Sequence, residues 1–176
     1  MEYLIETEAG IDYPLTRQEA EKRANISIGK RTNTDALAAR GVYRVFHEQR
    51  DAPAASYAHA KTPVKENGSY TLAARDLTAE ESDALKAGLI AETKAEANRR
   101  ILAILPEWKQ RNYTARAVEK VAAGEVGDDE WNAMSAAWTA IKAVRVASDA
   151  IEAEIATLTD EQAGQYDVAA SPLWDQ

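Results

Sequence analysis

The side chains that could carry acid–base or metal chemistry are carboxylates and two histidines, because the 176-residue chain contains no cysteine. The lack of cysteine excludes thiol nucleophiles, thiolate metal sites and disulfide frameworks. His47 and His59 are twelve residues apart, at an expected strand end and in an expected loop. This spacing does not place two ligands on one helix face, so we predict no metal site.

Acidic residues lie close together in the sequence at 128–130 and at Glu152 and Glu154. Such groups could form a general acid and base pair or bind a cation. Acidic residues at a helix start also offset the helix dipole, and exposed glutamates along a helix favour solubility. Because no neighbouring residues indicate the desolvation that would tune a carboxyl pKa, we predict no catalytic residues and no enzymatic activity.

Motifs for nucleotide binding and for serine catalysis are missing. The eight glycines occur singly and mostly at expected turns, so neither G-x-G-x-x-G nor a Walker loop is present. No serine lies in a G-x-S-x-G context. We therefore predict no cofactor.

The charge is concentrated in the second half of the chain. Residues 1–78 contain 11 Lys and Arg and 11 Asp and Glu, whereas the other 98 contain 10 and 18, which accounts for the net charge of −8. An acidic surface disfavours nucleic acid and anionic lipid. No segment has the roughly 18 uncharged apolar residues of a membrane span, and the N-terminus does not resemble a signal peptide. We expect synthesis in a cytosol, no membrane span and no nucleic-acid partner.

Residues 1–77 are predicted to form a small mixed α/β docking domain. Segments 3–7 and 11–13 alternate around a turn, which indicates a hairpin. Thr16 and Glu19 then form a capping box, typical of the start of a helix.

Further along this first domain, the polar residues 33–35 predict the start of a second short helix, which Gly41 would end. Residues 42–47 have the β-branched and aromatic composition of a strand. A candidate partner strand is 69–75, which is entered by an Asn-Gly turn. Residues 50–65 are expected to form an extended excursion or a loop.

Residues 78–164 are predicted to form a long helical hairpin or bundle, which makes the whole fold α+β. A capping box at Thr78 and Glu81 starts a first helix of about 27 residues, and Pro106 ends or kinks it. A shorter helix over 114–123 is expected to turn Ala117, Val118 and Val121 inward. Residues 165–176 are expected to form an extended tail.

The second long helix, predicted over residues 129–157, carries an apolar stripe at steps of three and four. Its members are Trp131, Met134, Trp138, Ile141, Val144, Ser148, Ile151, Ile155 and Leu158. Two facing helices form a thin layer, so we expect part of this stripe to be covered by a homo-oligomer of two or three chains. The predicted interface residues are Trp108, Trp131, Met134, Trp138, Ile141, Ile151 and Trp174, because aromatic side chains are enriched at interface hot spots.

Several segments together resemble proteins encoded among the tail genes of tailed bacteriophages, near the tail fibres. In the first half these are 11–15, 35–45, 62–64, 68–70 and 76–81, and in the second half 97–101 and 106–112. The resemblance implies a small recurring tail-protein domain followed by helical segments, with no catalytic residues.

The resemblance fits two roles. In the first, the chain is a structural virion protein of the distal tail, made in the host cytoplasm, that attaches or positions tail fibres by contact with other tail proteins. In the second, it is a tail-fibre assembly chaperone that is not retained in the mature virion. Both roles require protein–protein contact by the helices.

Overall fold

The computed structural model describes residues 1–29 and 32–175. The chain divides into two compact units, a first unit over Met1–Leu77 and a second unit from Thr78 onward. The first contains a β-sheet with short helices, and the second contains long helices. The predicted α+β class, a small mixed domain followed by a long helical region, is therefore confirmed.

The first unit consists of short strands and helices connected by turns. Its strands are β1 (Glu2–Thr7), β2 (Gly10–Leu15), β3 (Val42–His47), β4 (Tyr57–His59), β5 (Val64–Glu66), β6 (Ser69–Leu72) and β7 (Ala74–Asp76), and its helices are α1 (Arg17–Ala24) and α2 (Thr34–Ala38). The predicted hairpin is confirmed, since β1 and β2 pair antiparallel. The capping box of Thr16 and Glu19 is also present at the start of α1.

The described part of the first unit forms a five-stranded sheet in the order β2-β1-β3-β6-β5 and a separate two-stranded ribbon of β4 and β7. Strand β3 lies in the centre, antiparallel to β1 and parallel to β6. The predicted pairing of 42–47 with the segment after the Asn-Gly turn is therefore confirmed. Asn67 (φ 49°) and Gly68 (φ 79°) form a two-residue turn between β5 and β6, the conformation that the twist of a tight hairpin favours.

Residues 50–65, expected to form an extended excursion or loop, contain regular elements, so the loop alternative is wrong. This segment contains a short 3-10 helix (Ala54–Ser56) and the strands β4 and β5. All three residues of β5 are exposed. Because neither side of this short strand is buried, its sequence needs no alternation of apolar and polar residues, and that alternation is what predicts a strand. Pairing with β6 and β7, which follow later in the sequence, defines both strands.

The two faces of the five-stranded sheet are covered by separate apolar clusters. Consecutive residues of a strand point to opposite faces, and Tyr3 and Leu4 accordingly belong to different clusters. Tyr3 packs with Ala20 of α1 and Leu37 of α2, among others. Leu4 packs with Val45, Tyr70 and Leu72.

The second unit consists of helices α3 (Ala79–Ile104), α4 (Glu107–Ala123), α5 (Asp129–Thr157) and α6 (Asp160–Gln165), followed by a 3-10 helix (Pro172–Asp175). The predicted capping box of Thr78 and Glu81 starts α3. Leu105 is extended and Pro106 is the N-cap of α4, so the proline ends the first long helix, as predicted. Helix α4 begins seven residues earlier than the predicted start at 114.

Helices α3 and α5 pack antiparallel, which confirms the predicted helical hairpin. Ser82 at the start of α3 bonds Asp160, just beyond the end of α5, and Lys86 reaches the Ala156 carbonyl at 3.4 Å. The core between the helices contains Leu89, Ala97, Ala147, Ile151, Ile155, Ala163, Val168 and Trp174. Thr93, a polar residue of α3, is fully buried and donates its hydroxyl hydrogen to the Leu89 carbonyl at 2.9 Å.

The final segment is packed rather than extended, so the prediction of an extended tail over 165–176 is wrong. Val168 and Trp174 belong to the core of the second unit. The segment ends in the 3-10 helix, and the Trp174 indole N–H donates to the Val168 carbonyl at 2.8 Å. This short apolar segment lacks helical periodicity, and its packing against the long helices determines its conformation.

Candidate functional site

Helix α4 exposes its apolar side chains to solvent, contrary to the prediction that its valines face inward. Val118 is 66% exposed and Val121 is 59% exposed. Lys120 is the buried residue of this helix. The sequence pattern identifies an apolar face correctly, but no described element of the second unit covers that face.

The predicted interface residues separate into buried and accessible groups. Met134, Ile141 and Ile151 are buried by the protein's own fold, and Trp174 is only 9% exposed. Since these four side chains have little surface to offer, we correct their assignment from interface to core. Trp108, Trp131 and Trp138 are exposed or half-buried and remain accessible to a partner.

Trp108 lies in the first turn of α4 and is 57% exposed. Its indole is accompanied by Lys109, whose Nζ lies 5.4 Å from the ring centre. An exposed aromatic ring beside a cation can bury a large area against a partner, because indoles combine apolar surface with a hydrogen-bond donor. Trp108 is about 15 Å along the helix axis from Val118 and lies on a different side of α4.

A second accessible region surrounds Trp138, which lines two neighbouring hollows. The larger has a volume of ≈ 480 Å³ and is lined by Thr114, Ala117, Val118, Val121 and Trp138. The smaller has a volume of ≈ 250 Å³ and is lined by Ala117, Trp131, Met134, Ser135, Trp138 and Lys142. We call these nine residues the Trp138 patch. Lys142 is the one charged residue among the nine. The patch therefore has a smaller share of charged residues than the whole chain, in which the share is 28%.

Ion pairs between Lys120 of α4 and two carboxylates at the start of α5 hold these helices together and thereby position the Trp138 patch. Lys120 Nζ lies 2.5 Å from Asp128 Oδ2 and 2.9 Å from Glu130 Oε2. The hydrogen bond to Asp128, followed by that to Glu130, raises the pKa of Lys120. Lys120 in turn lowers the pKa of both carboxyls. Asp128 also caps α5 by accepting from the Trp131 backbone N–H at 2.7 Å.

A polar cluster in the first unit connects four strands of the sheet. The Glu6 carboxylate accepts hydrogen bonds from Lys65 (2.6 Å), Tyr70 (2.5 Å) and Tyr43 (2.8 Å). These bonds, with that from Lys65 the largest contribution, lower the pKa of Glu6 to about 2. Burial and the bond to Glu6 raise the pKa of Tyr70 to about 12. The cluster stabilises the sheet, since its members satisfy one another.

The structure also brings together the two histidines that are distant in the sequence. The ring centres of His47 and His59 are 4.7 Å apart, and His47 Nε2 lies 3.5 Å from Glu2 Oε2. His59 Nε2 lies 2.7 Å from the Glu48 carbonyl oxygen. Sequence spacing does not reveal this contact, because β3 and β4 meet only in the folded unit. Over residues 1–29 and 32–175, no group of three or more histidine and acidic side chains is arranged to hold a metal ion.

Comparison with known protein families, curated proteins and solved structures finds no significant match to this chain. None of the described helices combines the length and the apolar character required to cross a lipid bilayer. Trp108 and the Trp138 patch are therefore identified as candidate binding surfaces from their geometry.

The sequence identifies part of this candidate site. Trp108, Trp131 and Trp138 are predicted interface residues and are accessible, whereas the sequence pattern assigns Val118 and Val121 to the interior. The same spacing of valines fits a core-facing and a partner-facing helix equally well. The basic and polar residues just before these valines are a signal that could distinguish the two cases. They leave α4 with a single apolar face, which indicates a helix that is not buried on all sides.

Proposed function

We propose that this chain is a structural protein of the distal tail of a bacteriophage, which attaches or positions tail fibres by protein–protein contact. The observation that carries the proposal is the uncovered apolar surface of α4, where Trp108, Val118 and Val121 are all more than half exposed. Neighbouring exposed apolar side chains such as Val118 and Val121 commonly mark a binding site for another protein, and Trp108 offers a separate aromatic anchor on another side of α4. The resemblance of the sequence to phage tail proteins supplies the context in which that partner would be found.

In the proposed role the two units perform different tasks. The first unit, stabilised by the Glu6 cluster, docks on neighbouring tail proteins as a compact module. The helical unit provides the apolar contacts through α4. The role is structural rather than catalytic, and the protein would be made in the host cytoplasm and reside in the virion.

Quantitative mass spectrometry of purified phage particles tests the proposal. The chain should be present at a fixed stoichiometry relative to the tail fibre. Amine cross-linking of the same particles should connect Lys109, the exposed neighbour of Trp108, to another tail protein. Abundance in infected-cell lysate with absence from mature particles would instead support the tail-fibre assembly chaperone and overturn the structural role.

The variant Trp108→Ala tests whether the exposed indole anchors the chain in the particle. Because Trp108 is 57% exposed, its removal should leave the fold intact while weakening incorporation into particles. Val146→Ala, at a similarly exposed apolar position of α5 outside the Trp138 patch, serves as the control. Equal incorporation of both variants and wild type would show that Trp108 is not an anchor.

A further inference from the structure

The apolar cluster that contains Tyr3 covers only part of its face of the five-stranded sheet. Its strand members belong to β1, β2 and the first residue of β3. Residues paired directly across two strands share a face, as do residues two apart on one strand. The pairs Tyr3–Arg44, Phe46–Thr71 and Thr71–Val64 therefore extend this face to the edge strand β5. Since Phe46 is 48% exposed and Val64 is 52% exposed, that part of the face is open to solvent.

A hollow with a volume of ≈ 450 Å³ lies where the covered part of this face meets the open part. It is lined by Met1, Tyr3, Arg17, Ile28, Gly29 and Arg44. The charged side chains among these residues are two arginines, and the buried Tyr3 and Ile28 provide apolar walls. A cation beside apolar walls attracts an anion more strongly than it does in open water, because the surroundings screen the charge less.

Arg44 has no negative partner within the described chain. Its Nη2 donates to the Thr32 carbonyl at 3.2 Å and lies 3.5 Å from the Gly29 carbonyl oxygen. Its Nε is buried without a hydrogen-bond partner, and over residues 1–29 and 32–175 no carboxylate forms an ion pair with it. A guanidinium carries five N–H donors. The fold itself therefore satisfies only part of the hydrogen-bonding capacity of Arg44.

The second arginine of the hollow is already paired. Arg17 Nε lies 3.0 Å from Glu21 Oε1, and the same oxygen accepts the Ile28 backbone N–H at 2.6 Å. Two guanidiniums and one carboxylate leave a single uncompensated positive charge at the hollow. A carboxylate carries one negative charge, whereas a phosphate monoester carries about two at neutral pH. The charge of the hollow therefore matches a carboxylate.

We propose that this hollow binds the carboxylate of an acidic side chain on an extended segment of another protein, whose next apolar side chains lie on Phe46 and Val64. A guanidinium can hold a carboxylate by two parallel hydrogen bonds. Side chains two residues apart on an extended segment point the same way, which is the separation of Arg44 and Phe46 along β3. The open sheet face beside the hollow is the reason for a peptide segment rather than a free anion.

The inference rests on the proposed function only in treating the first unit as a docking module. Binding of an acidic peptide is measured on the purified full-length chain, whereas the structural role is measured on phage particles. Either result can therefore fail without the other.

An NMR titration of the full-length chain tests the site, with the blocked peptide acetyl-Glu-Ser-Leu-Ser-Leu-amide as the probe. Saturable shifts are expected at the backbone amides of Arg44 and Phe46, and the affinity should fall as salt is raised. The same peptide with Gln in place of Glu should bind weaker by about tenfold or more, because it lacks the charge-assisted hydrogen bonds. No saturable shifts with the Glu peptide, or equal binding of the two peptides, overturns the proposal.

Substitutions of single arginines locate the binding. Arg44→Met and Arg17→Met should each weaken binding of the Glu peptide, whereas Arg40→Met removes an exposed arginine outside the hollow and should bind as the wild type does. The Arg17 side chain is 51% exposed, so its variant should fold even if Arg44→Met does not. Wild-type affinity in Arg17→Met, or an equal loss in Arg40→Met, would contradict binding in the hollow.

Small anions distinguish a peptide from other sources of negative charge. Acetate should bind far more weakly than the Glu peptide, because it makes no contact with the open sheet face. Phe46→Ser should reduce the affinity for the peptide while leaving the affinity for acetate unchanged. Acetate that binds as tightly as the peptide, or inorganic phosphate that binds more tightly, would overturn the assignment to an acidic protein segment.

Discussion

The Arg100 guanidinium lies 4.7 Å from the centre of the Trp174 ring, so α3 covers the indole near the end of the chain. Arg100 also donates a hydrogen bond to the Ala169 carbonyl at 3.2 Å. The indole N–H is satisfied by Val168, and the ring packs in the same core as Ile151. The final residues therefore belong to the helical unit, because they pack into the core that α3 and α5 share.

Trp174→Ala is expected to lower the free energy of unfolding by about 3 kcal/mol, since it removes a large side chain from a packed core and leaves a cavity. Urea unfolding followed by circular dichroism measures the change. Trp108→Ala is the matched control, because that indole is 57% exposed and its loss should change stability by about 0.5 kcal/mol or less. Similar losses for both variants would show that Trp174 is not a core residue.

The two tryptophans show how far sequence reasoning extends in this protein. Each is a large aromatic residue outside a clear periodic stripe. The sequence therefore indicates that each indole favours burial, but not whether its own chain or a partner buries it. Trp174 is covered by its own chain and Trp108 is not. Periodicity likewise identifies the apolar face of α5, but not that the fold of a single chain would bury Ile141 and Ile151 completely.

Features that depend on nearby residues are predicted more reliably. The capping boxes at Thr16 and Thr78 and the Asn-Gly turn each involve only a few consecutive residues, and all three are present. The pairing of β3 with β6 is predicted, but its parallel direction is not, and neither is the contact of His47 with His59. Both depend on the arrangement of distant segments, which leaves no local sequence pattern.

The Glu6 cluster predicts an acid-dependent stability of the first unit. Lys65, Tyr70 and Tyr43 lower the pKa of Glu6 from 4.5 to about 2. A carboxyl with a lowered folded pKa contributes stability that is present above its unfolded pKa and is lost as the pH falls through the folded value. That contribution should therefore decline between pH 4.5 and about 2.

Glu6→Gln should be less stable than the wild type by about 1–2 kcal/mol at neutral pH, a figure reduced to allow for solvent screening of the one-third exposed side chain. The difference should shrink as the pH falls towards 2, because wild-type Glu6 then becomes neutral as well. Glu66→Gln, at an exposed carboxyl on β5, is the control and should follow the wild-type acid profile. A constant difference between Glu6→Gln and wild type from pH 7 to 2 would exclude this account.

Two glycines should respond in opposite directions to alanine. Gly41 has a φ of 67°, and a Cβ there would lie 3.2 Å from the Glu6 carbonyl oxygen. Gly41→Ala should lower the free energy of unfolding by about 1–2 kcal/mol, because an L-residue is strained in this left-handed conformation. Gly88 lies within α3, and a Cβ added there would meet nothing within 4 Å. Gly88→Ala should raise stability by about 0.5–1 kcal/mol, and urea unfolding of both variants measures the two signs.

The ion pairs of Lys120 with Asp128 and Glu130 predict that replacing Lys120 lowers the Tm of the helical unit more than replacing the exposed Lys94 does. Lys120→Met keeps much of the buried side chain but removes the cation shared by Asp128 and Glu130, so Tm should fall by a few degrees. Lys94→Met removes a 64% exposed lysine whose Nζ lies 3.4 Å from Glu152, and it should hardly change Tm because exposed ion pairs contribute little.

The pH dependence of the Lys120→Met effect separates its electrostatic part from packing. Lys120 lowers the pKa of Asp128 and Glu130, so their contribution is present at neutral pH and is lost as the pH falls through their folded pKa values. The pKa of Lys120 is raised, so its own contribution is lost only as the pH rises through that folded value. The Tm difference from wild type should be largest near neutral pH and shrink towards both extremes. A difference independent of pH would assign the effect to side-chain packing alone.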